Sequence, residues 1–299
     1  MSWALILSGG GARGLAHIGV LEALEEIGVP PPGFIAGCSM GAIIGGLYAA
    51  GMRTSEMRSF FAEPFDVTEY MSSPPFLPAS GPLGRIFHFG QGMRNLVASD
   101  GIDSGDKLRQ TLQKLTKGAQ IGETPIPFRC NASDLVTQRE IVLNKGPIAD
   151  AIRASASFPG VFSPFKKDGM LLVDGFLFHN TPVWIARKHG FQDTLAVYLE
   201  KPREMDVSRL KSASDILVRA FDCAQTAVKP SRKDIPTASI VASNGRSPFD
   251  FDHPQAQINF GYYETMAQTK TIREFFAKGA RGRLNRLLLE RNERKRRQE

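Results

Sequence analysis

Ser39 lies at the centre of a short pattern that is typical of a nucleophilic serine. Glycines stand two residues before and two residues after it, at Gly37 and Gly41. In such a G-x-S-x-G pattern the serine occupies a sharp turn between a strand and a helix, where a strained backbone exposes its hydroxyl. The pattern by itself is weak, because chance also produces it. Its context favours the catalytic interpretation, since an apolar strand is predicted at Phe34–Cys38 and a helix of small residues at Ala42–Met52.

A glycine cluster near the N-terminus allows two interpretations. Gly9, Gly11 and Gly14 fit the G-x-G-x-x-G pattern of dinucleotide-binding proteins. That kind of site also needs an acidic residue about 20 residues further on, at the end of the second strand, to bind the ribose. Residues 29–38 contain no Asp or Glu. The sequence therefore argues against a nucleotide site.

The same cluster, residues 9–14, suits a serine hydrolase. It is predicted to lie between a strand at Trp3–Ser8 and a helix at Leu15–Ile27, so it offers main-chain N–H groups where the helix dipole also favours negative charge. The oxyanion formed during ester cleavage needs such donors, and loss of one typically lowers the rate about 100- to 1000-fold. A tight turn without a catalytic role is the alternative. The nearby Ser39 pattern favours the oxyanion role.

The general base is harder to identify. A common catalytic triad adds a histidine, but none of the histidines lies in a recognisable pattern. The five histidines are His17, His88, His179, His189 and His253. Asp174 stands out instead, because it follows a short apolar strand at Met170–Val173 and precedes a glycine. Sites in open parallel sheets form at the carboxyl ends of strands, so we expect Asp174, the glycine cluster and Ser39 at one edge.

Together these residues resemble the patatin-like phospholipase family, and the resemblance spans nearly the whole chain. Residues 9–14 match the G-G-G-x-R-G loop of that family, residues 37–41 its G-x-S-x-G turn, and Asp174-Gly175 its D-G motif. Three motifs in the same order are more specific than any one of them. Further matches lie at Ala154-Ser155 with Pro159-Gly160, at Asn180, Pro182 and Val183, and at Phe249–Thr265, which contains Gly261-Tyr262.

The resemblance implies a three-layer α/β/α sandwich with a mainly parallel central sheet, and a Ser–Asp dyad without histidine. Ser39 would attack the carbonyl of a lipid or small acyl ester, and Asp174 would take its proton and later help a water molecule to remove the acyl group. The oxyanion would lie against the N–H groups of Gly10, Gly11 and Ala12. Neither a metal nor a cofactor is implied. The supporting motif residues are Gly9, Arg13, Gly14, Gly37, Gly41 and Gly175.

The chain departs from the family pattern at three places near the expected site. Phe176 stands where relatives often have a second glycine after the D-G pair, so the loop beside the base is expected to differ. Cys38 precedes Ser39 where a small hydroxylic or apolar residue is usual. We interpret Cys38 as a buried space-filling residue and not as a second nucleophile, because only the central position of the turn exposes its side chain. Arg13 either attracts anionic head groups or pairs with a nearby carboxylate, and the second interpretation is favoured.

The composition indicates one large domain with a basic C-terminus. The 299 residues are 42% apolar and 22% charged, which suits a soluble fold, and we predict a catalytic domain at residues 1–280 and a basic helix or tail at 281–299. Residues 278–299 have nine Lys or Arg against three Glu, and so contribute six of the net charge of +7. Nucleic-acid binding by the fold is therefore not expected. Leucines among these arginines allow contact with an anionic membrane, although such a charge run is more often a solvated chain end.

Three remaining features bear on location and access. Residues 72–93 contain four prolines and four glycines among apolar residues, and form either a lid or an ordinary covering loop. The three cysteines are too widely spaced for a disulfide framework or a metal site. With neither a secretory leader nor a membrane-spanning run, we expect a cytoplasmic protein, with peripheral membrane contact as the alternative. The sequence predicts no oligomeric state.

An ester hydrolase is favoured, but two alternatives stay open. The first keeps Ser39 and adds a histidine, His179 or His253, or transfers the acyl group to an acceptor other than water. The second is a non-catalytic, lipid-responsive regulatory protein of the same fold. The intact motifs argue against the second alternative.

Overall fold

The computed structural model describes residues 2–62, 103–200, 207, 213–226 and 231–296. Residues 72–93, expected to form either a lid or an ordinary covering loop, lie outside the described residues. The same holds for the last two residues of a helix that the sequence predicts at Ala213–Val228. The first segment has the strand–helix–strand–helix order that the sequence predicts, with a short 3-10 turn at Gly11–Leu15 before the first helix. Its elements are β1 (Trp3–Leu7), α1 (Ala16–Ile27), β2 (Phe34–Gly37), α2 (Met40–Ala49) and α3 (Thr54–Ala62).

The remaining elements continue the alternation of strands and helices. They are α4 (Asp106–Leu115), β3 (Phe128–Asp134), β4 (Arg139–Leu143), α5 (Ile148–Ser155), β5 (Phe165–Lys167), β6 (Met170–Asp174), α6 (Val183–Lys188), β7 (Asp193–Tyr198), α7 (Ala213–Thr226), β8 (Ala238–Val241), α8 (Pro254–Ala267), α9 (Thr269–Phe276) and α10 (Gly279–Arg296). All seven strands predicted from the sequence are present to within two residues at each end. The predicted strands are Trp3–Ser8, Phe34–Cys38, Phe128–Ser133, Glu140–Asn144, Met170–Val173, Leu195–Leu199 and Ala238–Ala242. The sequence did not predict β5, because its three residues include two lysines.

The described strands form one mixed sheet of eight, in the order β5, β6, β3, β2, β1, β7, β8, with β4 also paired to β3. Four pairings are parallel and the three that involve β4, β5 or β6 are antiparallel. Alternate residues of β1 face opposite layers: Leu5 and Leu7 pack in one apolar cluster, and Ala4 and Ile6 in another with α6. The predicted three-layer α/β/α sandwich with a mainly parallel sheet is confirmed.

Strand β3 brings β2 and β6 end to end. Its residue Cys130 pairs with Gly37 of β2 and also with β4, whereas Ala132 pairs with Asp174 of β6 and also with β4. A strand residue has one neighbour on each side, so β4 occupies one side of β3 while β2 and β6 follow one another on the other side. Because β2 is parallel to β3 and β6 antiparallel, their carboxyl ends face each other about 7 Å apart along β3.

Helix α8 packs across α1 and holds the glycine turn between β1 and α1. The helices cross closely, since a Cβ atom on Gly261 of α8 would lie 2.0 Å from the carbonyl oxygen of Ala16. The buried side chain of Gln257 then donates a hydrogen bond of 3.1 Å to the carbonyl of Arg13. The C-terminal region that resembles the family motif therefore supports the first turn of the chain.

Helix α10 covers the edge strand β8. The Ser239 hydroxyl on β8 donates to the buried carboxylate of Glu293 at 2.7 Å, and Arg286 pairs with Asp193 at the start of β7 at 3.1 Å. Residues 279–296 are therefore helical and packed on the sheet. Within the residues that the structure describes, no helix is both long and apolar enough to cross a membrane.

Candidate active site

Ser39 occupies a strained turn between β2 and α2. Its backbone has φ +53° and ψ −122°, in the left-handed region that residues with a side chain rarely adopt, at a typical cost of about 1–3 kcal/mol. The turn is tight, because a Cβ atom on Gly41 would lie 2.3 Å from the carbonyl oxygen of Leu7. The amide of Ser39 donates to the Ser155 hydroxyl at 3.0 Å. The surrounding backbone thus holds the serine in the conformation expected for a nucleophile.

Asp174 lies at the carboxyl end of β6, where that strand meets the end of β2. The main chain holds it on both sides: its amide donates to the Ser157 carbonyl at 3.0 Å, and its carbonyl accepts from the Ser133 hydroxyl at 2.9 Å. The residue is 1% exposed. The strand is antiparallel to its neighbour β3, so the rule of parallel sheets that placed Asp174 at this edge is wrong for β6. The end-to-end arrangement of the two strands brings Asp174 to the edge instead.

The two oxygens of the Asp174 carboxylate have different surroundings. Oδ1 accepts the amide N–H of Phe176 at 3.0 Å and lies 3.6 Å from the sulfur of Cys38, which donates to it. Oδ2 is buried and accepts no hydrogen bond from the residues that the structure describes. The Ser39 side chain lies near enough to act on this carboxyl group, although the two make no hydrogen bond of ordinary length and angle. Such contacts are often loose in the absence of substrate.

Burial raises the pKa of Asp174 from 3.8 to about 6. Interactions with Ser39, the Phe176 amide and the Cys38 thiol act in the opposite direction, because each stabilises the charged form. At neutral pH the carboxylate is therefore mostly ionised and is more basic than an exposed aspartate. This combination suits a general base.

The glycine loop presents two free amides and not three. Neither Gly10 nor Gly11 donates its N–H to any residue that the structure describes. The Ala12 N–H instead donates to the carbonyl of Pro248 at 2.7 Å, so the expectation that Ala12 contributes to the oxyanion site is wrong for this conformation. The loop before α8 approaches so closely that a Cβ atom on Gly11 would lie 2.2 Å from the same carbonyl oxygen.

Asn180 ties the glycine loop to the segment that follows Asp174. Its carbonyl accepts the Gly9 amide at 3.0 Å, and its side-chain amide donates to the Gly9 carbonyl at 3.4 Å. Asn180 lines the same cavity as Ser39 and Asp174. The family match at Asn180, Pro182 and Val183 was the sequence signal that pointed to this segment. The sequence did not assign it a place in the site.

Arg13 pairs with a carboxylate, as the favoured interpretation predicts. Its guanidinium lies 2.9 Å from Glu200 and donates to the Gly10 carbonyl at 3.3 Å, and the residue is 8% exposed. Asp222 lies near this pair, and burial, with the charge of Glu200 as a smaller cause, raises its pKa to about 6. Two more carboxyl groups therefore line the cavity beside the glycine loop.

The remaining motif glycines allow close packing. A Cβ atom on Gly14 would lie 2.2 Å from the Met40 side chain, and one on Gly175 would lie 2.5 Å from the Asn131 side chain. A Cβ atom on Gly37 would meet the carbonyl oxygen of Gly41 at 2.5 Å. These glycines allow the three motifs to lie close together.

The cavity has a mainly apolar lining that also contains the polar groups described above. Three phenylalanines of this lining form an aromatic wall, Phe158, Phe176 and Phe249, and Phe221 packs on Phe176. Phe158 stacks on Phe176 at 5.3 Å between ring centroids, and Phe221 and Phe249 each contact one of these two rings edge to face. The apolar side chains from α2, α3 and α4 that line the cavity are Met40, Ile43, Phe60, Phe61, Leu108, Leu112 and Leu115.

The histidines of the described segments lie outside this cavity. His179 is held between Glu140 at 2.8 Å and Asp234 at 3.6 Å, and the hydrogen bond to Glu140 is the main cause of its raised pKa. His253 precedes the first turn of α8. A histidine-assisted mechanism therefore receives no support from the described geometry, and His88 lies outside the described residues. Those residues also contain no group of three His, Cys, Asp or Glu side chains that could hold a metal ion.

The sequence of the chain matches one family of known proteins. The family described as patatin-like phospholipase matches residues 5–187. An uncharacterized NTE family protein of Mycobacterium tuberculosis is 35% identical over 180 residues, which cover 60% of this chain and 44% of that protein. Lysophospholipase NTE1 of Cryptococcus neoformans is 33% identical over 193 residues, which cover 64% of this chain and 11% of that protein. The chain thus spans less than half the length of these relatives.

Among solved structures, VipD from Legionella pneumophila has a similar fold. The TM-score is 0.52 at 17% sequence identity, and the match covers 90% of this chain and 67% of that one. At this identity the likeness concerns the fold alone. It agrees with the three-layer arrangement described above.

Proposed function

The chain belongs to the patatin-like phospholipase family, and from that premise we propose that it is a serine hydrolase of acyl esters that uses Ser39 and Asp174 as a catalytic dyad. One observation carries the proposal. A serine held at positive φ and a buried carboxylate line the same cavity, and one oxygen of that carboxylate accepts no hydrogen bond from the residues that the structure describes.

In the first half of the reaction Ser39 becomes acylated. Its oxygen attacks the carbonyl carbon of the ester while its proton passes to Oδ2 of Asp174. The negative charge on the carbonyl oxygen is stabilised by the N–H groups of Gly10 and Gly11. When the tetrahedral intermediate collapses, the bond to the alcohol breaks, and the alcohol leaves with the proton from Asp174.

In the second half water releases the acyl group. Asp174 takes a proton from a water molecule, whose oxygen attacks the acyl-serine carbonyl against the same two amides. Collapse returns the proton to Ser39 and frees a carboxylic acid. A histidine is not required, because burial gives Asp174 a pKa of about 6, closer to neutral pH than that of an ordinary aspartate.

The substrate class follows from the cavity and from the relatives. A mainly apolar lining that includes Ser39 and Asp174 suits an acyl chain whose ester lies beside Ser39. A relative is named lysophospholipase, which favours phospholipids or lysophospholipids over short esters. We therefore propose a phospholipase A or carboxylesterase activity without a metal or cofactor.

A fluorophosphonate probe tests the nucleophile. The probe should label Ser39 in the wild type, and Ser39→Ala should lose both labelling and ester turnover. Ser59→Ala is a matched control, since Ser59 is an α3 serine whose hydroxyl donates to the Ser55 carbonyl. Labelling at another residue would contradict the assignment. A panel of phospholipids and esters with an added alcohol would reveal acyl transfer by an acyl-alcohol product, and lipid binding without any turnover would favour a regulatory protein.

We also propose that the outer face of α10 contacts anionic membranes. Leu284, Leu287 and Leu288 are exposed by 56%, 65% and 48%, and Arg291 and Lys295 follow at helical spacing on the same face. The acidic residues of the helix turn inward: Glu293 bonds to β8, and Glu290 lies near arginines of α6 and α10. The outer face is therefore apolar and basic, which suits an anionic lipid surface.

Vesicle sedimentation tests this contact. The wild type should bind vesicles that contain phosphatidylglycerol more strongly than pure phosphatidylcholine vesicles. The double variant Leu287→Ser with Leu288→Ser should lose this binding. The control is Leu135→Ser, at an equally exposed leucine between β3 and β4. Equal binding by the double variant and the wild type would overturn the proposed surface and leave the hydrolase proposal untouched.

A further inference from the structure

Cys38 lies fully buried beside the carboxylate of Asp174. Its sulfur is 3.6 Å from Oδ1 and donates to that oxygen. Cys38 does not line the cavity, although the two residues that follow it, Ser39 and Met40, do. In this conformation Cys38 therefore cannot act as a second nucleophile. If it only filled space, its contact with Asp174 would have no explanation.

The contact bears on how the Asp174 carboxylate is turned. A carboxylate on a fixed backbone retains rotation about its last torsion angle, which is broad. Two donors, the Phe176 amide at 3.0 Å and the Cys38 thiol, both act on Oδ1. With Oδ1 held by two donors, Oδ2 is the oxygen left for the proton of Ser39.

We propose that Cys38 is a positioning residue for the catalytic base, whose thiol holds Oδ1 of Asp174 so that Oδ2 stays directed to Ser39. The catalytic meaning of this contact rests on the proposed hydrolase function. The contact itself does not. Cys38 touches neither substrate nor the reacting atoms, and acts only through Asp174.

The thiol remains a donor throughout the working range of pH. Burial, and then the charge of Asp174, raise the pKa of Cys38 well above its usual value, with smaller effects from Glu140 and Cys130. No other charged group acts appreciably on the Asp174 carboxyl among the described residues, where the causes are burial, Ser39, Phe176 and Cys38. The Cys38 thiol therefore keeps its proton, and still donates to Oδ1, when Asp174 is ionised.

Two variants of nearly equal shape separate positioning from packing. Cys38→Thr keeps a donor beside Oδ1, whereas Cys38→Val fills the same space without one. Relative to Cys38→Thr, the Cys38→Val variant should have a kcat at least about fivefold lower, and the acidic limb of its pH–rate profile should move upward by about half to one pH unit, because a donor that stabilises the charged carboxylate is gone. KM should change little, since substrate does not touch residue 38.

Infrared spectroscopy tests the contact without turnover. The spectrum of the wild type minus that of Cys38→Val isolates the S–H stretching band of Cys38. In an Asp174→Asn background this band should move to higher frequency, because an amide oxygen accepts a hydrogen bond less strongly than a carboxylate. An unmoved band would show that the thiol does not donate to Asp174, and the proposal would fail.

The outcomes distinguish this proposal from the hydrolase proposal. Turnover by Cys38→Thr and Cys38→Val with identical kcat and pH profiles would overturn the positioning role alone, and labelling of Ser39 would be unaffected. An inert wild type whose Ser39 resists the fluorophosphonate would overturn the hydrolase function, and the positioning role with it. Loss in Cys38→Val with rescue in Cys38→Thr supports both.

Discussion

Replacing Asp174 by asparagine should stabilise the fold at neutral pH while it abolishes turnover. The native carboxylate is 1% exposed, and burial raises its pKa from 3.8 to about 6. A difference of about 2 in pKa corresponds to about 3 kcal/mol by which folding disfavours the ionised form. Asparagine has the same shape and can keep its side-chain oxygen on the Cys38 and Phe176 donors. The variant removes the buried charge, so the cost of that charge should disappear.

The sign of the effect sets its pH window. Because the folded-state pKa of Asp174 lies above the unfolded value, the native protein binds a proton more tightly than the unfolded chain. The penalty is therefore fully present above about pH 6 and disappears as the pH falls toward about 4. Any constant cost of burying the amide of asparagine shifts the whole curve and leaves its slope unchanged. Asp222 also has a pKa of about 6. Because the wild type and Asp174→Asn both contain Asp222, its titration does not affect the difference between their free energies of unfolding.

Denaturant unfolding of wild type and Asp174→Asn, measured between about pH 4 and pH 8, tests this reasoning. The free energy of unfolding of the variant minus that of the wild type should rise by about 3 kcal/mol across the range, which corresponds to a gain of roughly 5 °C in Tm. Asp174→Ala serves as a comparison that also loses packing. A difference that does not change with pH would refute the claim that burial of a charge governs the pKa of Asp174.

Three further results are expected. Ester turnover by the wild type should fall about tenfold for each pH unit below a midpoint near 6, because protonated Asp174 accepts no proton from the serine. A midpoint near 4 in the pH–rate profile would contradict the raised pKa of Asp174. Gly41→Ala should lower activity at least about 100-fold, since its Cβ atom would meet the backbone of Leu7 at 2.3 Å. A Cβ atom on Gly45 would meet side chains and no backbone, with the Ile35 and Leu7 methyl groups at 2.9 and 3.3 Å, so Gly45→Ala should keep activity in the same assay. Phe176→Gly keeps the amide that bonds to Asp174 but opens the aromatic wall to water, so the acidic limb should move to lower pH, and an unmoved limb would show that the ring does not desolvate the base.

The first half of the site could be predicted because its signals are local. The apolar strands, the glycine turn and the serine turn follow one another within residues 3–49, and each element has its own residue pattern. Strand β1 is buried on both faces, which explains its unbroken apolar run. Gly28 ends α1 with φ +77°, as the sequence predicts from a glycine after the last apolar residue of the helix.

The second half depends on contacts that are distant in sequence. Asp174 was chosen from a strand followed by D-G, but the antiparallel course of β6 depends on its pairing with β3 and β5, which no local pattern reveals. The Ala12 amide donates to Pro248, 236 residues further along the chain, so no local pattern reveals that this donor is occupied. Cys38 likewise looked like a filler, because its partner lies 136 residues away.

The end-to-end arrangement of β2 and β6 along β3 has a consequence for how this fold tolerates change. Ser39 follows β2 and Asp174 ends β6, and both strands are hydrogen-bonded to neighbouring residues of β3. The distance between nucleophile and base therefore does not depend on the length of the chain that joins them. Insertions and deletions between residues 39 and 174 that spare β3 and β6 can therefore reshape the cavity without moving the reacting groups apart. In this architecture, substrate preference can change while the catalytic chemistry stays the same.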